Sequence, residues 1–478
     1  MSAIAEAPRR AHHARETAVP RLQIVALVVL VFGPYLLPGL RTEQVTLYLF
    51  ALVALVVWRR RCIPKSLLVV AGAWAVYAAI GAVRGLFPPE NSTPWEPGSL
   101  AAGLDNLAMP MAVLVVGVWL AAGRDPSGCI DFLAKCIAWA MVANTVAAWL
   151  QSQGLVDLSA WWSAGDDFVV AKNAEGNGRY SGLVNQPAEA GVLYGLALMG
   201  AVHVWRHRLL VMLVAAVFIC YGGFMTVSKV FLFVSLPIVV VQIIWTHAGH
   251  WKRLLGIGAS VGVVGALGSL GWLPSWAGGR QLQQILPSWG APGEMLAVVT
   301  ASRFGDGSTL APVIEAVLEG PALLGFGAAG LQVPYDNGFL EALVYGGVVG
   351  VLLVLAVMLA LSVALWRLLR GPQRILGMAI CVLMWGGTMG VPVLTANRSG
   401  SLLWLMLVYL IVAGAATRSA EVRPVRESGA LPGDDGDGAE AADVDSSGSL
   451  EPVARLTSVE GRAERGGHAV TGSGGPEA

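Results

Sequence analysis

The sequence predicts an all-α fold, a polytopic membrane bundle of about twelve helical spans with two long extracytoplasmic loops. Three observations predict it. Of the 478 residues, 55% are hydrophobic and only 13% are charged, roughly half the charge of an ordinary soluble domain, and the mean hydropathy is +0.65. The apolar residues come in blocks of about 20, the length a helix needs to cross a bilayer. The segments between blocks alternate between basic-rich and basic-poor, as cytoplasmic and outer loops do. A soluble enzyme, a secreted disulfide scaffold and a nucleic-acid binder all fit this composition poorly.

A short tail, 1–21, carries Arg9, Arg10, Arg15 and Arg21 and is expected in the cytoplasm. Twelve apolar blocks follow, at 22–40, 43–58, 65–86, 99–121, 129–150, 187–205, 209–226, 230–246, 254–273, 337–365, 375–395 and 401–417. With the N-terminus inside, 19 Lys/Arg fall on the cytoplasmic side, among them the run Arg59, Arg60 and Arg61, and 8 fall outside. That contrast places both termini in the cytoplasm of an inner-membrane protein. The first block is long and lacks a small-residue cleavage pattern, so it reads as a span and not a signal peptide. Tryptophans such as Trp58, Trp205, Trp162 and Trp276 mark the expected membrane borders.

Cytoplasmic loops are short, whereas the outer loops 151–186 and 274–336 are long. Within the second, Ser308, then TLAPVIEAVLE, then Gly320 reads as a capped amphipathic helix. Leu310, Val313, Ile314, Val317 and Leu318 follow the helical period. Such a helix would lie on the outer membrane face and roof a cavity. The membrane domain is expected to end at residue 417, leaving 418–478 as a cytoplasmic tail. Residues 421–478 hold 12 Asp/Glu, 5 Lys/Arg and almost no large apolar side chain, the composition of a disordered, solvated segment.

The charged residues on the outer side form a short list. Arg179 ends the first long loop in GNGRYSGLVNQPAEAG, which runs into the sixth span with Glu189. Lys229 lies in TVSKVFLF, where two spans meet with almost no loop. Arg303 precedes the roofing helix in TASRFGDGS. Asp336 and Asn337 open the tenth span, with Glu341 little more than a turn later, and Arg398 separates the last two spans in TANRSGS. An isolated arginine at a span end is usually an interfacial anchor. A carboxylate inside a span, as at Glu189, is costly unless paired or wet, which makes it a functional candidate. Asp105, Asp131 and Lys135 raise the same question; the i, i+4 spacing of Asp131 and Lys135 predicts a structural pair.

All seven histidines fall on the cytoplasmic side or in a tail, so a general base on the outer face would have to be a carboxylate. The five scattered cysteines have no metal-ligand spacing and read as buried thiols. GFGAAG at 325–330 follows a helix and not a strand, so it is a flexible turn and not a nucleotide fingerprint.

RYSGLVNQPAEAG, TVSKVFLF, ASRFGDGS with its helix, PALLGFGAAG and DNGFLEALVYGGVVGVLL, in that order, resemble the O-antigen ligase/polymerase family. The resemblance covers roughly residues 180–360 by motif and the membrane region by span number and loop pattern. It implies a membrane glycosyltransferase that works on the outer leaflet without cofactor, nucleotide sugar or metal. The donor would be a polyprenyl-pyrophosphate-linked glycan and the acceptor a glycan or lipid-linked glycan. By motif, Arg179 and Arg303 match the family's loop arginines and would bind the pyrophosphate, with Lys229 and Arg398 as further cations. Asp336, Glu341 and Glu189 are the candidate catalytic carboxylates. Ligase members resemble one another in a His-Asn pair where this chain has Asp336 and Asn337, and the Asp favours polymerase over ligase.

The resulting expectation is a polymerase of lipid-linked oligosaccharide repeat units for surface polysaccharide. Its alternatives are ligase-like transfer of the finished glycan, a transporter or flippase of a lipid-linked or polar solute, and a structural subunit of a glycan-assembly complex. Membrane lipids are expected partners, nucleic acid is not, and the acidic tail is a candidate dock for a chain-length regulator.

Overall fold

The computed structural model describes residues 21–37, 40–57, 63–90, 93–121, 126–162, 167–246, 258, 310–333, 335 and 337–427. The chain divides into two compact units, Met1–Pro424 and Val425–Ala478. Every element below belongs to the first unit except the end of the last helix. The ninth apolar block apart from residue 258, Ser308, Arg303, Asp336 and the acidic tail beyond residue 427 lie outside the described residues.

The described chain is a helical membrane bundle, α1 (Arg21–Val31) through α14 (Asn397–Glu427), with one small hairpin, β1 (Tyr35–Leu37) and β2 (Leu40–Arg41). Between them run α2 (Thr42–Val56), α3 (Lys65–Leu86), α4 (Leu100–Ala121) and α5 (Pro126–Ser152), then the short α6 (Ser159–Trp162) and α7 (Asp167–Gly176). Next come α8 (Pro187–Val204), α9 (Leu209–Thr226) and α10 (Phe231–Thr246), which opens with a π-helical turn over Phe231–Ser235. The set is completed by α11 (Ala311–Glu319), α12 (Gly338–Leu368) and α13 (Gly371–Thr388). Seven of these helices (α3, α4, α5, α8, α9, α12 and α14) are long and apolar enough to cross a membrane.

Burial separates the helices into centre and rim. In α8, 89% of the most apolar window is buried, against 28% in α3. Accordingly α8 packs against α5, α9, α10 and α13, while α3 presents Leu68, Val69, Val76 and Val83 outward as a lipid-facing rim helix would. Small residues let α8 approach α10 and the turn before it closely. A Cβ on Gly191 would run into the Ser228 side chain, and one on Gly195 into that of Ser235.

Several boundaries differ from the sequence expectation for local reasons. The first block is helical only to Val31, because Gly33-Pro34 follows and proline cannot continue the ladder; the chain then turns into the hairpin. The helix expected over 375–395 stops at Thr388, where Met389-Gly390 and Pro392 fold into turns. The amphipathic helix begins at Ala311 with Leu310 at its N-cap position and no side-chain cap. It buries Val313 and Val317, and Leu318 points away. Asp131 takes His203 as its hydrogen-bonding partner, at 3.2 Å, instead of the expected pairing with Lys135.

GFGAAG is a buried wedge and not a loose turn. α12 breaks at Gly347, whose φ of 62° and ψ of −156° are open only to glycine. Non-helical backbone inside a membrane bundle must find partners in protein, and the wedge supplies them. The Phe326 N–H donates to the Val344 carbonyl at 2.7 Å, and the Val348 N–H donates to that of Ala322 at 2.9 Å. The Ala328 N–H reaches across to the Gly81 carbonyl of α3 at 2.7 Å. Replacing Gly347 with Ala should therefore lower the thermal midpoint in detergent by the equivalent of about 1–3 kcal/mol. Thermal-shift size-exclusion chromatography measures this; an unchanged midpoint would mean the break tolerates a Cβ.

Candidate functional site

One end of the bundle gathers nearly every described charge that the sequence singles out. Four segments meet there: the hairpin with the start of α2, the turn-rich run into α8, the turn between α9 and α10, and the approach to α14.

Arg398, the second residue of α14, is fully buried. Its Nη2 donates to the Gly33 carbonyl at 3.0 Å and its Nη1 donates to that of Leu183. Its Nε lies 3.6 Å from the Glu43 carboxylate, and its backbone N–H donates to Glu189 Oε2 at 3.3 Å. Glu189 thus sits at the N-terminal end of α14, where exposed N–H groups and the helix dipole favour an anion. Glu189 itself occupies the first turn of α8, which Pro187 starts without losing a hydrogen bond.

The ionic cluster extends from Glu43 to Arg41, whose Nε lies 3.4 Å from the same carboxylate. Arg41 also approaches Asp105 of α4 at 3.8 Å. Asp105 in turn accepts from Gln44 and, at 2.6 Å, from the Tyr48 hydroxyl. The sequence marks Arg41 only as one outer cation and does not single out Glu43, although an acid beside an arginine at the start of an apolar run is the available signal. The cluster joins α2, α4, α8 and α14.

Glu341 lies in the first turn of α12, which Asn337 caps by accepting from the Phe339 and Leu340 N–H groups at 2.8 and 3.3 Å. Its carboxylate is buried and accepts from the Thr395 hydroxyl at 2.6 Å and from the Asn106 side chain. It borders a cavity of about 10 Å³ shared with Trp74, Tyr77, Thr388 and Thr395, close to the smallest space that holds one water. Thr395 precedes Arg398 by less than one helical turn, so Glu341 and the ionic cluster are neighbours through one short loop. Just outside the helix, Tyr335 donates to the Leu331 carbonyl at 2.6 Å, and burial pushes its phenol up from the ordinary value, which keeps it a neutral donor.

Arg179 and Lys229 form the second grouping. Arg179 is half-buried, its Nε donating to the carbonyl of Thr226, the last residue of α9, at 3.1 Å. The next residue, Tyr180, donates its N–H to the Met225 carbonyl at 3.0 Å. The turn that follows is buried and forces Val227 to a φ of 48°, after which half-buried Lys229 opens the next helix. Asn144, in mid-α5, fixes the chain between the two groupings: its amide donates to the Ser181 carbonyl and its Oδ1 accepts the Leu183 N–H. A polar residue deep in an apolar block is the only sequence signal for it.

The structure therefore brings Glu189 and Arg398 into contact, joins Glu341 to the same approach to α14 through Thr395, and fastens Arg179 to the end of α9, just before Lys229. Among the described residues no three His, Cys, Asp or Glu side chains converge as metal ligands would. The sequence matches no known family profile and no curated protein sequence.

Removing the Arg398 side chain leaves Glu43 without one of its cations and two carbonyls without donors inside the bundle. Arg398→Ala should cost about 3–5 kcal/mol, seen as a large drop in folded yield and thermal midpoint. Lysine should rescue poorly, because a single ammonium cannot span these partners in the guanidinium's fork geometry. Wild-type stability in either variant would show that the cluster is dispensable.

Proposed function

We propose that this protein is an outer-face membrane glycosyltransferase that polymerises polyprenyl-pyrophosphate-linked oligosaccharide repeat units. The reading includes twelve spans with both termini cytoplasmic, so that the charged end described above faces outward. The observation that supports it is Arg179 fastened to the Thr226 carbonyl at the end of α9, three residues before Lys229 in the chain.

In this mechanism an acceptor hydroxyl attacks the anomeric carbon, the bond to the pyrophosphate breaks, and negative charge grows on the leaving group. Cations already held in place lower that barrier without reorganisation. Arg179 suits this role because its Nε contact orients a group that never loses its charge and that recognises phosphate through a planar fork. Lys229 and, from the second long loop, Arg303 complete the cationic set. Asp336 is the general base in this scheme, taking the acceptor's proton, with Glu341, five residues on in the sequence, as a second carboxylate. Glu189 and Arg398 are occupied with each other and with the backbone, which favours a positioning role for both.

A transporter or flippase of a lipid-linked or polar solute is the second reading, favoured by the break in α12, since discontinuous helices often line transport sites. Deletion in the native host followed by sizing of lipid-linked and surface glycans separates the readings. Single repeat units on lipid and loss of long surface polymer are expected for the polymerase. Long chains retained on lipid would indicate a ligase, and unchanged glycans in both pools would sink glycan transfer.

Complementing that deletion with Arg179→Ala should lower polymer by on the order of 100-fold or more, as loss of one charge-stabilising group does elsewhere. The variant should keep near-normal membrane levels, because Arg179 is only half-buried. Full polymer from Arg179→Ala would remove the arginine from the mechanism.

A further inference from the structure

A groove on the flank of the bundle has no role in the chemistry above. It lies between α5 and α9, measures about 390 Å³, and is lined by Thr145, Val146, Trp149, Phe218 and Tyr221, within the size range of ligand pockets. Val146, Trp149 and Phe218 are each more than 40% exposed, so the walls face whatever surrounds the bundle. The floor is rigid and satisfied: the Thr145 hydroxyl hydrogen-bonds with the Met141 and Phe218 carbonyls and the Tyr194 hydroxyl. A concave apolar surface in a bilayer loses dispersion contacts unless a chain fills it.

The groove and a cation share α9. Phe218, Tyr221 and Met225 fall on one stripe of α9 by their i, i+3, i+7 spacing. At the end of α9 the carbonyls of Met225 and Thr226 receive the Tyr180 N–H and the Arg179 Nε–H. Tyr221 and Thr226 are five residues apart, a rise of about 8 Å along the helix. Along the axis of α9 the trough and the residue that anchors the guanidinium are thus separated by about the length of one head group and the start of its chain. This is complementary to an amphiphile with an anionic head and a long apolar tail.

We propose that the α5–α9 groove holds the first isoprene units of the donor's polyprenyl chain, with the pyrophosphate at Arg179; this rests on the glycan-transfer reading. Trp149, Phe218 and Tyr221 are then the residues that grip the donor's lipid, and Val146 sets the room between them.

The test uses the full chain in nanodiscs and a polyprenyl pyrophosphate carrying a photoreactive diazirine in its first isoprene units. Crosslinks mapped by mass spectrometry should fall on residues 145–149 and 218–221. They should drop about tenfold in Val146→Trp, whose indole fills the groove, a loss of about 1.4 kcal/mol in binding. Crosslinks in wild type that map elsewhere overturn the proposal whatever the variant does, as does labelling abolished by excess anionic phospholipid, which would make the groove a general lipid site. Glycan transfer is measured on the same preparation. Groove labelling without transfer keeps the lipid site and removes the chemistry, whereas transfer without groove labelling does the reverse.

Discussion

A guanidinium buried without solvent contact inside an apolar bundle must be neutralised where it lies. Moving an unpaired charge into such surroundings costs far more than any fold's net stability. Arg398 meets that demand by drawing in the Gly33 carbonyl, the Glu43 carboxylate, the Leu183 carbonyl and, through its backbone, Glu189. These partners come from two stretches far from Arg398 in sequence, 33–43 and 183–189. The arginine therefore sets how the first hairpin, α2, the run into α8 and the start of α14 meet. Ion pairs of this kind add little stability over a well-packed apolar core, and their best-attested use is to fix one arrangement among several.

The arrangement it fixes is the one that the proposed chemistry needs. Residues 179–189 are fastened by Arg179 and Tyr180 to the end of α9, by Leu183 to Asn144 and Arg398, and by Glu189 to the first turn of α14. A segment held at so many points cannot carry Arg179 far from Lys229. Three residues before Arg398, Thr395 ties the loop between α13 and α14 to Glu341. Two carboxylates and two half-buried cations are thus indexed to one buried charge, and a leaving pyrophosphate would meet cations already in position.

Much of the bundle is legible in the sequence because hydrophobic length is a local property. The blocks at 65–86, 99–121, 187–205 and 209–226 agree with α3, α4, α8 and α9 to within a residue at each end. The break in α12 is not legible, since VYGGVVG reads as continuous apolar helix and only the distant wedge of Ala322–Phe326 gives the broken backbone its partners. The candidate site divides the same way. Arg179, Lys229, Glu189, Glu341 and Arg398 stand out as polar residues at or inside apolar blocks. Their partners do not, because Gly33 and Arg398 are 365 residues apart and Leu183 and Arg398 are 215 apart. Glu43, Asn144 and Thr395 acquire meaning only through such long-range pairing. Asp131 behaves alike at the other end of α5: spacing favours Lys135, and tertiary packing delivers His203 from α8.

The claim that most needs testing is that bond making happens in this chain itself. Purified protein in nanodiscs, given only a defined polyprenyl-pyrophosphate-linked repeat unit, should lengthen the glycan and release one free polyprenyl pyrophosphate for each new linkage, with neither nucleotide sugar nor added metal. Balanced release and chain growth would establish the transferase. Intact donor after prolonged incubation, in protein that still binds it, would contradict the account and make the charged end a transport or docking site.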